Sequence, residues 1–310
     1  MRTSARPPLE DGDDTGSFSA AVMEPAPLVF SGGGSKVPIH VGALQAVEDV
    51  GVEVSSYLGT SAGAIVAALA ADGMKAREMW SLVRTLDFSK FVKRTWPEVV
   101  ANFFFGRGLV SGAYRHDFFR ELFGIKTMAD LRNLKVFGHS LARRRWVEIS
   151  ATSYPGMPVA LALQISTAIP ILFSPVGIGK VSRKTKREFD RDWLVDGGVS
   201  KNFPVDRAGR RFVGHLIDSP EGPDWQDISV RSLFRETFSQ LVGANAEESI
   251  RNASPNGLVV RSTYRKSVTD FSVSAQEKEN MFDLGYAGMS ESLKIWLKEE
   301  CYDKRPAEAR

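Results

Sequence analysis

Residues 54–71 read VSSYLGTSAGAIVAALAA, which predicts a strand, a tight turn and a helix in immediate succession. The strand covers Val54 to Leu58, and the helix of small residues covers Ala64 to Ala71. The turn between them, Gly59-Thr60-Ser61-Ala62-Gly63, has the Gly-x-Ser-x-Gly pattern of a serine held on a sharp bend. We therefore predict that Ser61 is a nucleophile at the carboxyl edge of a sheet.

The glycines of this turn have a steric role. Strand and helix crowd each other at so sharp a bend, so only small residues fit two positions before and after the serine, where Gly59 and Gly63 stand. The N-terminus of the helix points at the serine. Its unpaired N–H groups and partial positive charge favour a developing oxyanion.

A glycine-rich loop also occurs earlier in the chain. Pro27 to Phe30 is predicted as a short strand that runs into Gly32-Gly33-Gly34-Ser35-Lys36. Pro38 suits the first turn of a helix, because its missing N–H would have no partner there, and helical spacing continues to Gly51. A phosphate-binding protein needs one such loop. An acyl-transferring enzyme uses two, one for its nucleophile and one for the negative charge that the attack creates.

The alternation of strands and helices predicts an α/β fold in which helices connect parallel strands. We expect a disordered tail over residues 1–25, one domain over 26–300 and a short tail over 301–310. Within the domain, residues 75–130 have an irregular helical pattern that favours an inserted cap. Further elements are predicted as strands near 146–151, 193–195, 212–217 and 258–260, and as helices near 232–247 and 276–299.

A serine hydroxyl needs a neighbouring base before it can attack. Asp196 is favoured, because an apolar strand delivers it to an edge and Gly197 and Gly198 let the backbone turn away. His215 follows the serine and Asp196 in the order of a Ser–Asp–His triad, but it lies in a buried-strand pattern. Of the other histidines, one is expected to pack inside the first helix and two have no motif around them: His40, His116 and His139.

Three ordered motifs resemble those of the patatin-like phospholipase family. They are the oxyanion loop at Gly32 to Lys36, the nucleophile turn at Gly59 to Gly63, and Asp196-Gly197-Gly198 with the aspartate of a catalytic dyad. Two flanking stretches, Ser166 to Pro170 and Asn202 to Asp206, are also similar to the family. The similarity runs from about Leu28 to Asp206, and a weaker one occurs at Phe271-Ser272-Val273 and in the helix that follows.

The resemblance implies a lipid acyl hydrolase with a three-layer α/β/α sandwich around a mostly parallel sheet. It implies that Ser61 attacks an ester carbonyl, that Asp196 takes its proton, and that no metal, cofactor or histidine takes part. The backbone amides of Gly32, Gly33 and Gly34 would hold the oxyanion. The implied substrates are membrane phospholipids or lysophospholipids.

Two residues of the first loop need separate expectations. The family usually has glycine where this chain has Val37, a β-branched residue that precedes a proline. We predict that Val37 is extended and that the three glycines before it keep the donors of the loop. Lys36 is expected either to lend positive charge near the oxyanion or a lipid phosphate, or to be solvated.

Composition and spacing weigh against other classes of protein. The 310 residues carry a net charge of +3, too little to indicate nucleic acid, and the single cysteine, Cys301, cannot form an intrachain disulfide. The loop at 32–36 lacks the spacing of a phosphate-binding motif. The acidic residues Glu188, Asp190 and Asp192 lack the spacing of a cation site.

The expected location is cytoplasmic, with peripheral contact at a membrane and with export by a non-Sec route left open. Three basic clusters could face anionic lipid, namely Arg143 to Arg145, Arg183 to Arg187, and Arg207 with Arg210 and Arg211. The run Phe103 to Phe105 is more typical of a core than of a membrane anchor. Two alternatives to the hydrolase remain: a lipid-binding or scaffolding protein on the same fold, and a Ser–Asp–His esterase that uses His215.

Overall fold

The computed structural model describes residues 24–92, 110, 112–179, 192–218 and 230–303. Several predictions lie wholly or largely outside these ranges: the tail at 1–25, the run at 103–105, the basic cluster at 183–187, and Glu188 and Asp190. The predicted C-terminal tail begins too early, because the last helix continues to Asp303.

Strands and helices alternate along most of the chain. The strands are β1 (Ala26–Phe30), β2 (Val54–Thr60), β3 (Leu134–Ser140), β4 (Arg145–Ser150), β5 (Val176–Ile178), β6 (Asp192–Asp196), β7 (Val213–Asp218) and β8 (Leu258–Thr263). The helices of eight or more residues are α1 (Val37–Val50), α2 (Ala62–Ala71), α3 (Ala76–Thr85), α4 (Ala113–Phe123), α5 (Val159–Ser166), α6 (Val230–Arg251) and α7 (Ala275–Asp303).

One sheet joins all eight of these strands in the order β5-β6-β3-β2-β1-β7-β8, with β4 on β3. The neighbours from β3 to β8 are parallel, whereas β4 and β6 run antiparallel to β3. Since β4 occupies one edge of β3, the other edge is shared: residues 134–137 pair with β2 and residues 138–140 pair with β6. The carboxyl ends of β2 and β6 therefore meet in the middle of β3.

Helices cover both faces of this sheet. Leu28 and Phe30 of β1 pack into a core that includes residues of α1 and α2. Val29, which points the other way, packs with Phe203 and with Ala246 of α6. The α/β fold with a mostly parallel sheet between helical layers is confirmed.

The helix that follows the first glycine loop is anchored by the last helix. A Cβ atom on Gly42 of α1 would lie 2.0 Å from the Phe282 oxygen, and one on Gly285 of α7 would lie 1.9 Å from the Ile39 oxygen. The two backbones therefore approach so closely that glycine is required at both points. This contact fixes α1 and, with it, the loop from which α1 starts.

Several predicted elements are confirmed, and others were missed. The first helix ends at Gly51, which has a left-handed φ of 78°, and the strand and helix around Ser61 are present. Strand β3 and helix α5 were not predicted. Within the segment predicted as a cap, α3 packs against α1 and α7 in a helical layer. Among the described residues, every helix is too short or too polar to cross a membrane.

Candidate active site

Ser61 lies on the sharp turn between β2 and α2. Its backbone has φ 51° and ψ −119°, a conformation that a side chain disfavours, and such strain is concentrated at functional sites. A Cβ on Gly59 would lie 2.4 Å from the Gly63 oxygen, and one on Gly63 would lie 2.4 Å from the Ser31 oxygen. Both glycines are therefore required by the close approach of strand, turn and helix, as the sequence predicted.

The structure brings Ser61 and Asp196 together. The Ser61 hydroxyl donates a hydrogen bond to Oδ2 of Asp196 at 2.7 Å. The sheet register explains this meeting, since Thr60 pairs with Phe137 and Asp196 pairs with Gly138, the next residue of β3. Asp196 closes β6, and its Oδ1 accepts a hydrogen bond from the Gly198 N–H at 2.7 Å.

The Asp196 carboxyl group is shielded from water. The residue is 1% exposed, and burial raises the pKa of Asp196 to about 7, against the opposing effects of Gly198, Ser61 and Arg115. Burial disfavours the charged form, whereas hydrogen bonds to the carboxylate and a nearby cation favour it. A carboxylate whose pKa lies near neutrality is a stronger base than a solvated aspartate and is still ionised at pH 8.

The backbone amides of both residues are held by one short segment, 166–168. Ser166 Oγ accepts from the Ser61 N–H at 2.9 Å and donates to the Phe137 oxygen at 2.6 Å. The Asp196 N–H donates to the Ala168 oxygen at 2.9 Å. This segment belongs to the first of the two flanking stretches that the sequence singled out.

The first glycine loop lies beside Ser61, but its three amides differ. The Gly32 N–H donates to the Asn202 oxygen at 3.1 Å, so the prediction of Gly32 as an oxyanion donor is wrong. No acceptor for the Gly33 or Gly34 N–H occurs among the described residues, and both residues line a cavity with Ser61. Gly34 has φ +59°, and a Cβ there would lie 1.9 Å from the Val268 oxygen.

Two expectations for this loop are corrected by the structure. Val37 is not extended but helical, with φ −46° and ψ −40°, because the left-handed Gly34 starts a 3₁₀ turn that leads directly into α1. Lys36 is not solvated. Its side chain is fully buried, and burial lowers the pKa of Lys36 to about 8, partly offset by Asp218.

His215 lies away from the pair, as the buried-strand pattern predicted. Its Nδ1 is 2.8 Å from Nδ1 of His40, and its Nε2 is 3.0 Å from the Ser262 hydroxyl. The other nitrogen of His40 contacts the Ser31 oxygen at 2.8 Å. All four ring nitrogens therefore have partners, and both imidazoles are fully buried. Because burial lowers the pKa of both histidines, they are neutral at pH 7.

The remaining residues singled out in the sequence have other partners. His116 contacts Gln164 at 3.1 Å, and His139 contacts the Ser200 hydroxyl at 2.7 Å. Asp192 accepts from the Ser140 hydroxyl and lies 3.5 Å from Nε of Arg143. In the described ranges, no group of three His, Cys, Asp or Glu side chains is placed to hold a metal ion.

Ser61 stands between two cavities. The first encloses about 720 Å³, part of it open to solvent, and most of its wall is apolar, with Ile65 and Leu69 of α2 on one side and Phe118 and Phe119 of α4 on another. The second encloses about 400 Å³ and is lined by the glycine loop and by Asp196. The residues from 82 to 91 and α4, which fall in the segment predicted as a cap, form much of the apolar wall.

Arg115 is a site residue that the sequence reasoning missed. It lines the apolar cavity although it is only 2% exposed. The signal was present in α4, where Arg115, Phe119 and Phe123 stand four residues apart and are all buried. Arginine is almost never fully buried unless it has partners, and the sequence alone does not show which partners Arg115 has.

A serine on a strained turn, bonded to a buried carboxylate beside an apolar cavity, is the arrangement of a serine hydrolase. A family model described as patatin-like phospholipase matches residues 28–208. The chain belongs to this family, which makes it a relative of lipid hydrolases. The resemblance seen in the sequence is thereby confirmed.

Individual relatives agree with this assignment. The Bacillus subtilis protein YqhO is 26% identical over 291 residues, which cover 86% of this chain and 98% of that protein. Lysophospholipase NTE1 of Candida albicans is 24% identical over 193 residues, which cover 61% of this chain and only 12% of that protein. The crystal structure of VipD from Legionella pneumophila has a TM-score of 0.58 at 17% identity, covers 88% of this chain and 67% of VipD, and shows the shared fold.

Proposed function

We propose that the protein is a serine lipid acyl hydrolase that cleaves carboxylic ester bonds of phospholipids or lysophospholipids through an acyl-enzyme on Ser61. The observation that carries the proposal is the 2.7 Å hydrogen bond from the Ser61 hydroxyl to the Asp196 carboxylate, beside an apolar cavity. The family assignment and the name of the Candida albicans relative support the choice of a lipid ester.

The geometry fits a two-step reaction. Asp196 Oδ2 takes the hydroxyl proton while Ser61 Oγ attacks the ester carbonyl carbon, and the resulting oxyanion is held by the Gly33 and Gly34 N–H groups. When the carbon–oxygen bond to the leaving alcohol breaks, Asp196 returns the proton to that oxygen. Water then attacks the acyl-enzyme, gives its proton to Asp196, and Ser61 leaves with that proton.

Each of the two cavities binds a different part of the substrate. The apolar cavity accepts the acyl chain, because burying each methylene group there is favourable by about 0.8 kcal/mol. The second cavity, lined by the glycine loop and Asp196, receives the polar part of the substrate around the ester.

The test is release of fatty acid from vesicles of phosphatidylcholine and from micelles of lysophosphatidylcholine by the full chain. We expect release by the wild type, loss in Ser61→Ala and Asp196→Asn, and retention in His215→Gln. The exposed residues Ser55 and Asp117 supply matched controls, Ser55→Ala and Asp117→Asn. Lipid uptake without release by the wild type would support the lipid-binding alternative, and a folded but inactive His215→Gln would support the triad.

A further inference from the structure

Arg115 is a buried cation with an incomplete set of partners. Its Nη1 donates to the backbone oxygen of Thr167 and, at 3.1 Å, to the Thr167 hydroxyl. Its guanidinium carbon lies 3.7 Å from the ring centroid of Phe173. Among the described residues, Nε and Nη2 have no hydrogen-bond partner. Because a buried charge with unmet donors costs stability, a compensating role is expected at this position.

The residue that Arg115 holds is the middle of the segment at 166–168. The residue before it accepts the Ser61 N–H through Ser166 Oγ, and the residue after it accepts the Asp196 N–H through the Ala168 oxygen. One side chain therefore holds the short segment to which both members of the Ser–Asp pair are bonded. A shift of this segment would change the distance between the reacting oxygens.

The charge of Arg115 also acts on Asp196. The guanidinium lowers the pKa of Asp196, in opposition to burial, while burial lowers the pKa of Arg115 itself to about 9. Most other charged groups on nearby elements have partners of their own: Lys201 pairs with Asp206 at 3.0 Å, Asp192 with Arg143, and His139 is bonded to Ser200. Lys36 differs, because its Nζ has no hydrogen-bond partner among the described residues and only the charge of Asp218 acts on it.

We propose that Arg115 is a positioning residue of the acyl-transfer reaction: it fixes the Thr167 segment that aligns Ser61 with Asp196, and its charge keeps the Asp196 carboxylate ionised in an apolar site. The inference rests on the proposed role of Asp196 as the base. Without the cation, burial would be opposed only by the hydrogen bonds from Gly198 and Ser61, so a larger fraction of Asp196 would be protonated at neutral pH and unable to accept the serine proton.

The first test measures Asp196 without using a substrate. In the full chain labelled with ¹³C at the aspartate carboxyl carbon, the Asp196 signal is assigned by its loss in Asp196→Asn and is titrated with pH. Arg115→Gln keeps an amide donor for Thr167 but removes the charge. We expect the pKa of Asp196 to rise by about 1 pH unit, because the guanidinium is the smallest of the three effects that lower it. Arg115→Lys keeps the charge and should leave that pKa near its wild-type value. The exposed Arg120 on the same helix supplies the control Arg120→Gln.

The second test is the pH profile of fatty-acid release. The acidic limb of kcat/KM should move to higher pH in Arg115→Gln, so that activity at pH 7 falls by about tenfold for each pH unit that the limb moves. Arg115→Lys should restore the position of this limb, with a lower plateau because it lacks the planar fork. A purely structural role would lower the plateau and leave the limb unmoved.

The inference is overturned if folded Arg115→Gln has the wild-type pKa at Asp196, or if Arg115→Lys raises that pKa as much as the glutamine does. If Arg115→Gln does not fold, the inference is tested by Arg115→Lys, which should leave the pKa of Asp196 near its wild-type value. Failure of the proposed function gives a different result, namely a wild type that releases no fatty acid while the Asp196 titration still responds to Arg115.

Discussion

Two buried polar pairs lie close to β1, and they differ in almost every respect that matters for chemistry. His40 and His215 are enclosed, neutral, and bonded at all four ring nitrogens. Ser61 and Asp196 are also buried, but they line cavities, and Ser61 stands on a strained backbone. Burial and hydrogen bonding are common to both pairs. Access to a cavity, backbone strain and a pKa moved towards neutrality distinguish the second pair, which we propose as the reactive one.

The largest expected difference between the two pairs comes from replacing one titratable side chain of each pair by an amide. Asp196→Asn should lower kcat/KM by about 10³–10⁴-fold, because the serine proton loses its acceptor while the geometry is kept. His215→Gln should leave kcat/KM of the folded protein nearly unchanged. Steady-state fatty-acid release at pH 8 measures both. Equal losses in the two variants would remove the distinction between the pairs.

The pH profile of the wild type sharpens the comparison. The base must be ionised to accept the proton, and the pKa of Asp196 is raised to about 7. We expect kcat/KM to fall by about tenfold per pH unit below this value and to level off above it. Lipid hydrolysis measured from pH 5 to 9 provides the profile. A flat profile down to pH 5 would contradict a buried aspartate as the base.

The same substitutions should affect stability with opposite signs. A raised pKa means that the folded state prefers the protonated carboxyl, so stability is lost as pH rises from about 4 to 7. Asp196→Asn removes this loss and should stabilise the protein by about 1–3 kcal/mol at pH 8. His215→Gln should destabilise it by about 1–3 kcal/mol, because buried groups lose partners. Urea unfolding of both variants at pH 8 tests these signs.

Acidification tests the histidine pair through stability rather than through activity. The pKa of His40 is lowered to about 3 and that of His215 is also lowered, so the unfolded chain takes up protons below pH 6.5 that the folded pair does not. The two histidines therefore decrease the free energy of unfolding as pH drops, whereas protonation of Asp196 increases it. Replacing both histidines by glutamine should flatten the acid side of the stability curve. The variant His116→Gln serves as control, and an unchanged slope would show that the pair is not the source.

The residues of the proposed active site could be singled out in the sequence because their signals are local. Gly59 and Gly63 predict a sharp turn around Ser61, and Asp196 is followed by two glycines at the end of a strand. Their meeting could not be derived, since it depends on β3, which was missed and which pairs with both strands through adjacent residues. Arg115 was missed for a similar reason, because its role depends on a contact with Thr167 that is 52 residues away.

The first glycine loop shows where local rules fail. A β-branched residue before a proline prefers an extended backbone, yet Val37 is helical because α1, held by its contact with α7, must start at that point. The glycine count suggested three equivalent donors. The tertiary structure makes these N–H groups unequal, because that of Gly32 already donates a hydrogen bond to the backbone oxygen of Asn202.

The support beneath this loop comes from a part of the chain that lies beyond the family-model match, although the similarity to YqhO covers 86% of the chain. The match ends at residue 208, whereas Gly34 rests on the Val268 oxygen and the Ser35 hydroxyl donates to the Asp270 oxygen at 2.6 Å. A polypeptide cut at residue 208 would keep the Ser61 and Asp196 side chains but lose the contacts that support the glycine loop. The segment that the family model matches is therefore shorter than the unit that holds the glycine loop in place.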